Sequence, residues 1–454
     1  MSVLATSLSP AAIAAAAIGA AVAVALLAVA MRRYEDAFPL LAILALPFRL
    51  PISAEGRTVN LLIPLYLVVA AGVLAHLLPR LLRREERAPR KLEWVLLASL
   101  ALYALQAIYS TDRGKAAENV AFFYIPFALL LVLLRDVRWR RELLLRCLGV
   151  AVALAVVFAG IGFVEYARKE LFLNPKVVAA NQFDNYFRVN SLFFDPNIYG
   201  RFLALVMIAV TTFVLWRRRA RDVWLAAAVL LWLLAGLVTS FSQSSIAALL
   251  LGLAVLAAYR WSVRWALYVA GALIVLALAV ALAAPARWHF GLKGSSGSAN
   301  NATTGRAKLI EGGLELFAKR PLQGYGSGSF QTEYERHSKT TAENATSASH
   351  TIPITVAAEQ GVVGFALYVA LLVLALLVLF RGAARSPPRI AIAACFAALV
   401  LHTFAYADFL EDPLTWTLLG VGLALARVDE STGESTGAPR ASSPRPAAAL
   451  ASGE

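Results

Sequence analysis

Charge is scarce in this sequence. Of its 454 residues only 15% are Asp, Glu, Lys or Arg while 60% are hydrophobic, a balance that excludes an ordinary soluble domain. Cysteine is scarcer still. Cys147 and Cys395 both fall within apolar runs, with no spacing for a disulfide or a metal cluster, and read as small buried hydrophobes. In the polar segments the acidic residues are scattered: Asp184, Asp195, Glu311, Glu315, Glu333, Glu335 and Glu343. None forms an Asp-x-Asp pair or a His-plus-carboxylate spacing, so neither a metal nor another cofactor is expected. No Lys or Arg precedes the first apolar run, Ala11 to Ala30, so it reads as a retained span and not as a signal peptide. No internal repeat is visible either, which weighs against a transporter built from repeated halves.

The net charge of +14 sits in short clusters between apolar runs. It lacks the interleaved aromatics of a nucleic-acid surface, so the partners expected are membrane lipids and no nucleic acid. Arg32-Arg33 and the clusters Arg80 to Lys91, Arg135 to Arg141, Arg217 to Arg221, Arg260 to Arg264 and Arg381 to Arg389 should all be cytoplasmic. Between them spans are expected near 11–31, 37–53, 60–79, 92–110, 117–134, 143–165, 196–216, 223–240, 244–259, 265–285, 352–380, 388–407 and 412–427. The fold class is therefore an all-α polytopic membrane protein of about 12–13 transmembrane helices, with the N-terminus outside and the C-terminus inside.

The domain reading follows from that count. Residues 1–166 form the N-terminal spans, 167–195 a first long outer loop, 196–285 the central spans, 286–350 a large outer loop, 351–427 the C-terminal spans, and 428–454 a disordered cytoplasmic tail rich in Ser, Thr, Gly, Pro and Ala. Within the large loop Leu309, Ile310, Leu314 and Phe317 recur at helical spacing until Pro321, which predicts an amphipathic helix on or over the membrane.

The large loop meets the next span at Ser349-His350-Thr351-Ile352-Pro353. Thr351 can cap the new helix and Pro353 suits its first turn, which puts His350 at a helix N-terminus favourable to phosphate. An imidazole there can take a proton near neutral pH. Of the other histidines, His76, His289 and His402 lie at or near span ends and His337 mid-loop beside Arg336, where structural roles suffice. Gly361 and Gly364 leave one side bare for the approach of another helix. At the end of the first outer loop, Asp195 and Pro196 read as N-cap and first helical residue, preceded by Arg188 and followed by Arg201. Arg201, one turn into the span, could snorkel outward.

The pattern His350-Thr351, nine residues, Gly361, two residues, Gly364 resembles the signature of the O-antigen ligase and O-antigen polymerase superfamily. An arginine a few residues before Pro196-Asn197, the Gly305-Arg306 pair that opens the loop helix, and Pro321 through Gly326 resemble further segments of it. The resemblance covers about Arg188 to Phe365 and implies a GT-C-like membrane glycosyltransferase of the bacterial cytoplasmic membrane, with its active site on the outer face. It implies as partners an undecaprenyl-pyrophosphate-linked glycan donor and a glycan or lipid-linked acceptor, in lipopolysaccharide or surface polysaccharide synthesis. His350 and Arg188 are then the expected catalytic residues, and Arg306, Arg201, Gln243 and Tyr325 the expected substrate-binding ones. The glycines after Pro321 would let backbone approach a sugar, or simply make a turn. One departure stands out: Gln243 occupies the turn where many members carry Ser-Arg, so a second cation must come from Arg306 or Arg201. Protein O-oligosaccharide transfer is an alternative. A non-enzymatic lipid or polysaccharide transporter is another, but it predicts charges lining the spans, whereas the polar residues here gather in two outer loops.

Overall fold

Apolar runs bounded by arginines become helices whose two ends differ in chemistry. The computed structural model describes residues 10–54, 57–84, 89–173, 187–264 apart from 218, 268, 271, 298–338 and 351–436. In chain order these contain α1 (Pro10–Arg33), α2 (Ala37–Ala45), an antiparallel hairpin β1 (Leu50–Ala54) and β2 (Arg57–Leu61), α3 (Ile63–Leu82), α4 (Lys91–Gln106), α5 (Arg113–Arg135) and α6 (Arg141–Arg168). After them come α7 (Pro196–Leu215), α8 (Ala220–Ser240), α9 (Gln243–Arg260), α10 (Ser298–Lys319), α11 (Phe330–Ser338), α12 (Ile352–Phe380), α13 (Pro387–Phe404) and α14 (Pro413–Thr436). Nine helices among the described residues are long and apolar enough to cross a membrane, and the chain is an all-α polytopic membrane protein. The span expected at 265–285 lies outside the described residues.

Among the described residues, arginines of the clusters at 80–91 and 135–141 meet at one pole of the bundle, where ion pairs tie helix ends together. Arg80 meets Asp136 at 2.7 Å, Arg135 pairs with Glu93, and Arg427 reaches Glu93 at 3.4 Å. Proline shapes two of the spans. A residue without an N–H leaves a carbonyl of the preceding turn unpaired, and the chain answers with π-turns at Val73–Leu77 before Pro79 and at Val120–Tyr124 before Pro126. The expected span 37–53 is helical only over Ala37–Ala45. Pro47 interrupts the hydrogen-bond ladder, and the hairpin, with Leu50 opposite Leu61, takes up the rest.

α7 is enclosed by α6, α8, α9 and α13. Its side chains are buried on all faces, including Tyr199, Leu203, Ala204 and Ile208, as expected for a helix apolar all round at the centre of a bundle. α14 packs on α5 and α13, and α12 on α4 and α13. α14 also continues past 427 to Thr436, so the start of the expected tail is helical, while residues 437–454 lie outside the described residues.

The helix expected in the large loop is α10, which rests on α12 and α11. Its buried stripe is Leu309, Gly313 and Leu316, whereas Leu314 points outward. The stripe is rotated because the missing side chains of Gly312 and Gly313 admit Tyr334 and Phe330, whose rings stack at 5.9 Å. α10 begins at Ser298, so Gly305-Arg306 lies inside the helix and does not open it.

Candidate active site

The polar groups of the opposite pole gather where α6, α7, α8, α9 and α13 end. Three backbone contacts hold the segment bearing Arg188 in place. Glu165, the buried carboxylate at the end of α6, accepts from the N–H groups of Asn190 (3.3 Å) and Ser191 (2.7 Å), and Val189 N–H donates to Thr239 O at 3.2 Å. Asp195 then caps α7 by accepting from Asn197 N–H at 2.6 Å, with Pro196 in the first turn as its sequence predicts.

Between these fixed points Arg188 donates through Nε to Ser240 O at 3.1 Å and through Nη2 to Asn197 Oδ1 at 3.3 Å. Asn197 Oδ1 also accepts from Ser242 Oγ at 2.8 Å. Ser242 caps α9, whose first residue is the exposed Gln243. Behind Ser242, at 2.7 Å, lies Ser245, and His402 Nε2 lies 3.1 Å from Ser244 Oγ and 3.2 Å from Ser245 Oγ. α7 and α9 come this close because residue 200 is glycine: a Cβ there would sit 2.8 Å from Ser245 Oγ.

One turn below Asn197, Arg201 is 1% exposed and does not snorkel. It makes an ion pair of 2.6 Å with the equally buried Asp412 and donates through Nη1 to Asp408 O at 3.3 Å, with the Tyr406 ring 6.0 Å away. The reason is positional. α7 has no lipid face along which the side chain could run, and Asp412 at the head of α14 supplies the counter-charge that burial demands. Asp412 Oδ1 meanwhile accepts from Leu414 N–H at 2.9 Å and so orders the start of that helix. Beside it, Glu411 accepts from Asn119 Nδ2 at 2.7 Å. Burial raises the Glu411 carboxyl above the usual carboxylate range, with Asp408 adding to the effect and Lys115 opposing it.

A second assembly joins the large loop to α12 and α4. Tyr325 N–H donates to Ala358 O (3.2 Å) and Gly326 N–H to Glu359 O (2.8 Å), while the Glu359 carboxylate accepts from the N–H groups of Gly328 (2.9 Å) and Phe330 (3.0 Å). Gly324, Gly326 and Gly328 all have positive φ, and the backbone they approach is the protein's own. Gly361 breaks α12 at φ 66°, with a hypothetical Cβ 2.2 Å from Leu322 O, so what comes close to it is this loop and not another helix. Tyr325 is buried here, its ring 4.5 Å from the Arg320 guanidinium and edge-on to His337. Thr351 stands at the N-cap of α12, but its side chain makes no capping hydrogen bond.

Of the residues expected at a site, Arg188, Arg201 and Gln243 therefore share one pole within a few residues of Asn197, and Tyr325 belongs to the loop assembly. His350 lies outside the described residues, as does the side chain of Arg306. Sequence reasoning passed over Glu165, Asn197, Ser242, Ser245, Glu359 and His402. His402 carried a usable signal, since an ionisable side chain within a span is a functional candidate by default. The serines carried none, because their relation to Arg188 exists only once α7, α9 and α13 are packed.

Residues 228–369, from within α8 to within α12, match a family model described as O-Antigen ligase. A search of curated proteins returned no match to the chain. The matched segment contains the Ser240–Ser245 turn, the large loop, His350 and the Gly361–Gly364 break, and it supports the resemblance to the O-antigen ligase and polymerase superfamily.

Proposed function

We propose that this protein transfers a glycan from an undecaprenyl-pyrophosphate carrier to an acceptor hydroxyl at the outer face of the bacterial cytoplasmic membrane. The observation that carries this reading is Arg188, gripped by Ser240 O and Asn197 Oδ1 at the head of α7, against the turn that lies within the family-matched segment. An oriented guanidinium suits a pyrophosphate, because its planar fork matches two phosphate oxygens. In the step proposed, the acceptor oxygen bonds to the anomeric carbon as the carbon–oxygen bond to the carrier breaks. The carrier pyrophosphate leaves with the electron pair, the hydroxyl proton passes to the imidazole of His350, and configuration inverts. Arginine and the α12 N-terminus stabilise the leaving group, so the transfer is metal-independent.

The test is transfer by purified protein in lipid vesicles supplied with carrier-linked glycan. His350→Ala should abolish turnover, His337→Ala should remain active, and Arg188→Lys should lose most activity although it keeps the charge. Chelation with EDTA should change nothing. Arg306→Ala should resemble Arg188→Ala, with partial recovery on adding Gln243→Arg. A lysine at position 188 as active as arginine, or EDTA inactivation reversed by Mg²⁺ or Mn²⁺, would overturn the mechanism.

A further inference from the structure

The hydrogen bonds behind Arg188 have a direction that can be worked out from valence and distance. Arginine only donates, so the Asn197 atom facing Arg188 Nη2 is the carbonyl oxygen, Oδ1. That oxygen only accepts, so the Ser242 hydroxyl, 2.8 Å away, spends its single hydrogen on it. Ser242 Oγ can then only accept, and at 2.7 Å it takes the Ser245 hydrogen in preference to the Asn197 backbone carbonyl, which lies 3.3 Å from the same hydroxyl. Ser245, its hydrogen so placed, accepts from His402 Nε2 at 3.2 Å, which puts a hydrogen on Nε2 and leaves Ser244 Oγ, 3.1 Å from the same nitrogen, as a second acceptor. The Asn197 backbone carbonyl also interacts with this ring, and being an acceptor it calls for the same N–H. His402 is fully buried and Ser242 and Ser245 equally so, which leaves no solvent to reverse the chain.

From this we infer that His402 is a positioning residue: through Ser245 and Ser242 its Nε2–H holds the Asn197 carbonyl oxygen toward Arg188 and thereby sets the angle of that guanidinium. The inference rests on the reading of Arg188 as the pyrophosphate-binding residue. It identifies a specific role for the buried end of α13, which lies outside the family-matched segment. Without the His402 donor, Ser245 and Ser242 are free to reorient, and the Asn197 amide loses the contact that selects its oxygen over its nitrogen. An amide nitrogen turned toward Arg188 would oppose donor to donor and push the guanidinium away.

The experiment compares His402→Leu, which removes the donor, with His402→Gln, which retains an N–H near the same place, and with Ser245→Ala, which cuts the chain one link nearer Arg188. Each is assayed in vesicles for donor and acceptor kinetics and melted in detergent. His402→Leu and Ser245→Ala should lose kcat/KM for the carrier-linked donor by about 10- to 100-fold, the range for a hydrogen bond to a charged group, with acceptor KM unchanged. His402→Gln should recover most of that loss. In an Arg188→Ala background His402→Leu should cost nothing further, because it acts through that arginine. Equal kcat/KM for the Leu and Gln variants, or a full additional loss in the Arg188→Ala background, would overturn the inference. If His402→Leu does not fold, Ser245→Ala carries the same two comparisons. Arg188→Ala with normal transfer would instead sink the underlying assignment of Arg188, a different result from any that separates Leu from Gln at position 402.

Discussion

Two carboxylate–arginine contacts at opposite poles of the bundle show what burial does to the same chemistry. At the basic pole Asp36 holds Arg140 and Arg146 at 2.9 Å each, but the two arginines are 58% and 62% exposed. At the other pole Arg201 and Asp412 approach to 2.6 Å with exposures of 1% and 3%. Water screens the first group, and such pairs contribute about 0–1 kcal/mol. In the second no water can replace a lost counter-charge, so removing one partner leaves the other charge buried and uncompensated. The exposed pairs of the basic pole therefore add little to the stability of the fold. The buried pair joins α7 to the head of α14.

Breaking the buried pair should have the largest effect. Asp412→Ala is expected to destabilise the protein by about 3–5 kcal/mol, seen as a large fall in melting temperature in detergent. An unchanged melting curve would mean that Arg201 reaches solvent after all. Next comes the loop assembly of the same pole. Gly361→Ala places a Cβ against Leu322 O at φ 66° and should cost about 1–3 kcal/mol; because that contact locks the large loop, protease cutting between α10 and α12 should speed up with it. A third test uses the proton of Glu411. Burial favours its protonated form in the folded chain, so the folded state binds that proton more tightly than the unfolded state does. Stability should then fall as pH rises above the free carboxylate pKa of about 4.3. Glu411→Gln should flatten this part of the pH–melting profile, and a variant with the wild-type slope would show that another group titrates there. The smallest effect belongs to the basic pole. Asp36→Asn should change stability by less than about 1 kcal/mol, and raising the salt concentration should shrink the difference further.

The legible part of this protein was its hydropathy and its punctuation. Spans bounded by arginines, Asp195-Pro196 opening α7, and Pro321 just after α10 all follow from local rules that need no tertiary partner. The misreadings came from residues whose role depends on what packs against them. Arg201 reads as either a substrate-binding or a snorkelling side chain, and α7, being surrounded, leaves it no lipid face along which to snorkel. Leu314 reads as buried until Gly312 and Gly313 let the α11 aromatics turn the helix. Gly361 reads as a helix-packing site until a loop carbonyl is found against it. His402 was set aside with the other histidines at span ends, since nothing near it in sequence says that two serines of α9 face its Nε2.

By itself the sequence determined the solvent and the scaffold. A chain this apolar must satisfy its backbone within helices, and its arginine clusters and prolines mark where those helices end and bend. The motif around His350 and Gly361 was enough to indicate the superfamily. Only the tertiary structure decided which charges are paired and which way a hydrogen-bond chain runs. Those properties depend on groups from α7, α9, α13 and α14, as far apart in sequence as Asn197 and Asp412, meeting where water cannot compensate a missing partner.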